Sequence, residues 1–345
     1  MKDEDQFKAT PPSIFVGRVG YPKVFAGPIL SPQANAELYD SPDKWSGSIE
    51  DVLKLRMKVA RGMKLVDVRL KDPDRYVLEL QEAVASIKSL DVDAKIERKI
   101  SKFVFDSILK PSGVSLKIED FKLESNPRIP RDVEKVYYDE LKAEEAIYYL
   151  FKKGFSDYYL QKIFSAGMVG IDRKLVPTKW SITAVHEIIS KKLKREIAEL
   201  PEINDVRLYF YEYFGNRFFV LLYPSEISFE LLELWKSSNW IGRDSEGLRD
   251  KKKYSSLSGG YYAAKISAFE FLRSIKRKAG VIVIREITPQ YSVPLGVWVV
   301  EEGVRRSLRE KYLRFESCNE ALDYVRKIVS TKFKSFKQTT FRDFV

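Results

Sequence analysis

Two dense apolar runs, residues 206 to 214 and 217 to 223, are separated only by Gly215-Asn216, and this arrangement constrains the fold more than any other segment. Leu, Tyr, Phe and Val on both sides of a two-residue turn signal predict a β-hairpin, which Pro224 ends. Around it the pattern predicts helices. Ser48 stands as a cap before Ile49, Val52, Leu53, Met57 and Ala60, which share one helical arc, with Gly62 placed to terminate the helix. Further helices are expected over 74–89, 94–109, 140–152 and 156–165, with Pro111, Pro127 and Pro130 marking an extended connection. Ser181 caps another, with Ile182, Val185, Ile189, Leu193 and Ile197 on one side and Lys191, Lys194 and Arg195 on the other. Residues 15–28 read as two short strands broken by Gly20 and Pro22.

Beyond the hairpin, a helix is expected near 228–237, a Gly- and Ser-rich stretch over 239–260, and a helix over 261–279 with Ala264, Ala268, Phe271, Leu272 and Ile275 as its stripe. Strands are expected over 281–287 and 295–301. A capping box, Ser317-x-x-Glu320, opens the final helix. The expected fold class is α+β: a largely helical N-terminal portion with the β-hairpin and a smaller mixed α/β C-terminal portion. The boundaries are a flexible leader at 1–12, one domain over 13–225, a second over 226–333 and a tail over 334–345.

A chain of 345 residues that is 44% hydrophobic buries a substantial core. Sixty Lys and Arg against 49 Asp and Glu leave a charge of +11, which favours a polyanionic partner such as DNA. One cysteine, Cys318, excludes an intramolecular disulfide and a multi-cysteine zinc site and suits a reducing cytosol. No cofactor or metal is expected. The first residues lack an apolar signal core, and no apolar stretch reaches the roughly 18 residues of a membrane span, so a cytoplasmic protein without membrane attachment is expected.

Signatures for a nucleotide-binding P-loop, a zinc hydrolase, a nucleophile elbow or a dinucleotide fold are absent. The one imidazole, His186, falls on an apolar helix side, where a hydrogen-bonded structural role outweighs that of a general base. Three segments are candidates for nucleotide or DNA contact. In Gly17-Arg18-Val19-Gly20-Tyr21-Pro22 the glycines let backbone amides approach a phosphate, Arg18 supplies a fork of donors and Tyr21 a stacking face. Lys179 and Trp180 stand at a helix start, where orphan amides attract anions. Lys251, Lys252 and Lys253 precede a Gly-led helix start that bears Tyr261. Each also has a bland reading as a turn, a cap or a solvated loop.

The last eight residues follow the pattern Gln-x-x-apolar-x-x-aromatic-apolar, which resembles the clamp-binding peptide of proteins that work on DNA. One tight turn brings Phe341 and Phe344 to the same side as aromatic anchors, and the Gln338 amide adds hydrogen bonds. Phe341 stands where Leu, Ile or Met is usual, and Val345 where a second aromatic is.

Four runs together resemble the archaeal Nre family of DNA repair proteins: Ile14 to Pro22, Lys174 to Val185, Gly259 to Ala264 and Gln290 to Trp298. The resemblance implies a two-part architecture, a role in repair of damaged DNA, and recruitment by the sliding clamp PCNA through Gln338, Phe341, Phe344 and Val345. Many members carry an N-terminal four-cysteine element suited to zinc, and this chain, with Cys318 alone, departs from that pattern. Two functions follow as expectations: a repair accessory factor tethered to the clamp, and alternatively an enzyme acting on DNA or a nucleotide adduct, as a nuclease or an ADP-ribose- or NAD-handling activity.

Overall fold

The structure is a computed structural model that describes residues 7–32, 36–101 and 103–329. They form two compact units, one built on residues up to Ile189 together with Pro294–Gly296, the other on Ser190–Val293 with the described residues from Val297 onward.

In the first unit, six strands assemble one sheet: β1 (Ala9–Thr10), β2 (Ile14–Val16), β3 (Lys23–Leu30), β4 (Ala60–Asp67), β5 (Leu90–Ser101) and β6 (Ser115–Leu123), in the order β1-β5-β6-β4-β3-β2. The β4–β6 pair is parallel and the other pairs are antiparallel. Helices α1 (Ile49–Arg56), α2 (Arg75–Ala85), α3 (Arg131–Tyr138), α4 (Ala143–Lys152) and α5 (Asp157–Ser165) belong to the same unit, and α6 (Thr178–Ala198) begins in it. A capping box starts α1: Ser48 Oγ accepts from the Asp51 amide at 3.2 Å and Asp51 Oδ2 accepts from the Ser48 amide at 2.9 Å. Helix α2 lies on the sheet, where Tyr76 donates to the Ala26 carbonyl at 2.9 Å. Side chains are excluded there: a Cβ on Gly27 would stand 2.3 Å from the Gly62 carbonyl oxygen.

The second unit holds β7 (Val206–Tyr213), β8 (Asn216–Tyr223), β9 (Ser228–Trp235), β10 (Trp240–Glu246), β11 (Gly280–Ile287) and β12 (Leu313–Phe315), in the order β10-β9-β11-β8-β7-β12. Here β9 and β11 run parallel. One face, carrying Leu208, Phe219, Leu232, Leu234, Ile282 and Ile284, packs on Ala321, Leu322 and Val325 of α9 (Cys318–Ile328). The opposite face is covered by α7 (Ser258–Ser274) and α8 (Trp298–Ser307), close enough at Gly303 that a Cβ there would meet the Phe218 ring at 2.2 Å.

Two six-stranded mixed sheets make this an α/β fold, which corrects the expectation of a largely helical N-terminal portion. The expected helix over 94–109 is instead strand β5, in which Val92, Ala94 and Ile96 alternate with exposed charges at the pleat period of two. Gly62 lies inside β4 rather than ending a helix, and α1 stops at Arg56. The expected helix near 228–237 is β9, and the expected strand over 295–301 gives way to helix α8. Within the expected flexible leader, Ala9–Thr10 pairs with β5, so order begins before Ile14. No helix among the described residues is long and apolar enough to cross a membrane.

Candidate functional site

The Gly17–Pro22 segment is the turn between β2 and β3. Its Gly17 amide donates to the Phe25 carbonyl at 2.7 Å, so that amide serves the sheet and is not offered to a phosphate. Arg18, Val19, Gly20 and Tyr21 are exposed at its tip. Pro177 precedes α6, which begins at Thr178, so Ser181 sits inside the helix rather than at its cap; its hydroxyl donates to the Thr178 carbonyl at 3.1 Å. Thr178 Oγ1 accepts from the Val16 amide at 2.8 Å, which fastens β2 to the start of α6. Tyr21 and Trp180 therefore meet, with ring centroids 5.9 Å apart. Lys179 is neutralised by an ion pair with Asp106, whose carboxyl is held below its usual range because Lys179 and the Ile108 and Leu109 amides outweigh burial.

In the second unit, Lys251 is paired with Asp244, while Lys252 and Lys253 are exposed. Tyr261 is fully buried, edge-on to Phe229 with centroids 5.1 Å apart, and presents no stacking face to a ligand. His186 is buried in the first unit, its Nε2 3.1 Å from Asp157 Oδ2 and 2.8 Å from Gln161 Nε2. Gln338, Phe341, Phe344 and Val345 lie outside the described residues.

Sequence reading missed a cationic recess in the first unit, which Phe15, Asp40, Arg56, Arg61, Lys110 and Lys162 line together with Thr178 and Ser181 at the start of α6. Asp40, at the end of the short turn Ala36–Asp40, is buried; its Oδ1 takes Arg56 Nη1 at 3.2 Å and Lys110 Nζ at 2.6 Å. Arg56, the last residue of α1, also donates through Nε to the Pro111 carbonyl at 2.7 Å. Burial opposes ionisation of Asp40, but Lys110, Arg56 and Lys162 override it and hold the carboxyl well below its usual range.

The remaining two cations have no such closure. Arg61, on β4, is 6% exposed; its guanidinium stacks over Phe15 with 4.6 Å to the ring centroid and makes one long hydrogen bond, 3.4 Å, to the Lys110 carbonyl. Burial and the neighbouring Arg56 lower its pKa to about 10. Lys162, on α5, reaches Asp40 Oδ2 only at 4.0 Å, and burial, against the attraction of Asp40, lowers it to about 8. Three cations, Arg56, Lys110 and Lys162, thus converge on Asp40, with Arg61 beside them, in a recess with about 50 Å³ of free space. An anion is the species such a field attracts.

A family model described as "Archaeal Nre, N-terminal" matches residues 1–241, and one described as "Archaeal Nre, C-terminal" matches residues 246–342. The chain is 50% identical over 335 residues to DNA repair protein NreA of Archaeoglobus fulgidus, covering 94% of this chain and 85% of that protein. DNA repair protein NreB of the same organism is 38% identical over 337 residues, with the same two coverages of 94% and 85%. DNA repair protein NreA of Haloferax volcanii is 31% identical over 337 residues, covering 90% of this chain and 80% of that protein. No solved structure matches the chain.

Proposed function

The chain belongs to the archaeal Nre family of DNA repair proteins, and from that premise we propose that the sliding clamp PCNA recruits it to DNA through Gln338, Phe341, Phe344 and Val345. The observation that carries this reading is the spacing of that segment. A single turn would set Phe341 and Phe344 side by side as anchors, the arrangement by which a short segment concentrates its binding energy in two buried rings. Lys327, Lys332, Lys334 and Lys337 just before it complement an acidic clamp surface or adjacent DNA. Tethering raises the local concentration of DNA, so a modest contact surface suffices. The exposed tip formed by Arg18, Tyr21 and Trp180 supplies one, combining a cation with two aromatic faces on which unstacked bases can rest.

Calorimetry of the full chain against the clamp tests the reading. The double variant Phe341→Ala, Phe344→Ala is expected to bind at least about tenfold more weakly than the parent. Equal affinity of the two proteins discards the recruitment segment.

A further inference from the structure

We propose that the recess of Arg61 and Lys162 binds a terminal phosphate monoester, such as that of a 5′-nucleotide or of the 5′-phosphorylated end of a DNA strand. The inference is independent of clamp recruitment and rests on the first unit alone. Arg56 and Lys110 are engaged by Asp40 and by backbone carbonyls, which leaves Arg61 and Lys162 as the cations in excess. Neither has a carboxylate within hydrogen-bonding distance among the described residues. The Arg61 guanidinium makes a single long hydrogen bond, so an oxyanion entering the recess finds donors still available to it.

Arg61 and Lys162 meet carboxylates only at longer range, Asp106 for the first and Asp40, Asp43 and Glu37 for the second, so the recess keeps a net positive charge that matches a dianion. A phosphate monoester at neutral pH approaches that charge, whereas a backbone phosphodiester carries a single one. The guanidinium fork of Arg61 presents parallel donors to a tetrahedral oxyanion, and Lys162 adds a point charge from α5. The start of α6 contributes the positive end of a 21-residue helix, with Thr178 and Ser181 on the recess wall. Apolar lining from Ile14, Phe15 and Leu109 lies beside these groups, a surface suited to the carbon side of an ester.

A dianion seated beside Lys162 raises the proton affinity of that amine. Association near or above pH 8 is therefore coupled to proton uptake, which a change of buffer reveals in the measured heat.

Calorimetry of the full chain with inorganic phosphate, 5′-AMP and adenosine tests the proposal. Phosphate and 5′-AMP are expected to bind and adenosine is not. Arg61→Gln and Lys162→Met are each expected to weaken 5′-AMP by at least about tenfold, while Lys95→Gln, far out on an exposed ion pair with Glu119, leaves it within about twofold. A 5′-phosphorylated oligonucleotide that binds more tightly than its 5′-hydroxyl twin makes the strand end the source of the phosphate; preference for 5′-AMP alone makes it a free nucleotide, and either result upholds the recess. Should Arg61→Gln fail to fold, Lys162→Met and the buffer dependence of the heat decide. No heat with phosphate or 5′-AMP at millimolar concentration, equal binding of adenosine, or undiminished binding by Lys162→Met without proton uptake overturns it.

Discussion

The rings of Tyr21 and Trp180 lie 5.9 Å apart with their planes inclined by 43°, although one belongs to a strand turn and the other to a helix start. The hydrogen bond from the Val16 amide to Thr178 fixes this meeting, so two segments distant in sequence share one exposed surface. Replacing either ring by Ala is expected to weaken single-stranded DNA binding by about 1 to 3 kcal/mol per lost stacking face. Because both side chains are about half exposed, 49% and 47%, the melting temperature should hardly move. Fluorescence anisotropy reads the affinity; unchanged binding in the double variant removes this surface from the DNA-contact reading.

Glu246 of β10 takes one buried ammonium on each oxygen, Lys194 at 3.1 Å and Lys265 at 3.2 Å. Glu246→Gln removes the shared carboxylate while keeping the shape, and Lys194 retains Asp250 at 3.4 Å. A loss of about 1 to 3 kcal/mol in urea denaturation is expected, because two buried ammonium groups lose a charged acceptor. A loss below about 1 kcal/mol would place the cluster in contact with water.

At Gly27 a methyl group would meet the Gly62 carbonyl oxygen at 2.3 Å and Tyr76 Oη at 2.7 Å. The obstacle is backbone of the neighbouring strand, which cannot yield without parting β3 from β4. Gly27→Ala is expected to cost about 3 kcal/mol, measured by thermal or chemical unfolding. Retained stability would show that the two strands stand farther apart than the register implies.

Lys162 supplies a pH prediction. In the unfolded chain a lysine keeps its proton to about pH 10.4, whereas burial in the recess lowers that point to about 8. Across this window the unfolded chain binds more protons than the folded one, so the contribution of Lys162 makes unfolding progressively harder as pH rises. Lys162→Met removes the burdened charge and is expected to be more stable than the parent below pH 8, by about 1 to 3 kcal/mol, with the gain fading toward pH 10.4. Comparing the two proteins cancels the tyrosine titrations. A gain that grows with pH contradicts this sign.

Local pattern located the β7–β8 hairpin, although the turn falls at Phe214-Gly215, both at positive φ, one residue before the expected Gly215-Asn216. Helices α2, α4 and α5 were also expected at their places, and α9 was legible from its capping box. Strand β5 carries its alternation openly and was still expected as a helix, whereas at β9 and α8 burial on both faces erased the periodicity. Leu231, Leu232 and Leu234 of β9 are all buried between helical layers, so a helix-forming composition tells nothing of the pleat. Val299 and Val300 read as strand but are fully packed in α8, where tertiary contacts overrule a β-branched preference.

The recess was not legible for a different reason. Asp40, Arg56, Arg61, Lys110 and Lys162 come from a turn, a helix end, a strand, a loop and a helix, with no fixed spacing to betray them. A faint signal did exist. Tyr158, Gln161, Lys162 and Ser165 form a polar face on α5 at helical spacing, beside apolar Leu160 and Ile163.

Of the four outer strands in the two sheets, β1, β2 and β12 are two or three residues long, while β10 runs for seven and shows Trp240 and Ile241 to solvent. Short borders give an incoming extended chain too few amides and carbonyls to grip. Among the described residues, β10 is thus the place where a crowded solution would first stitch one molecule to the next, and a lysine put at Ile241 is the change that should keep concentrated samples clear.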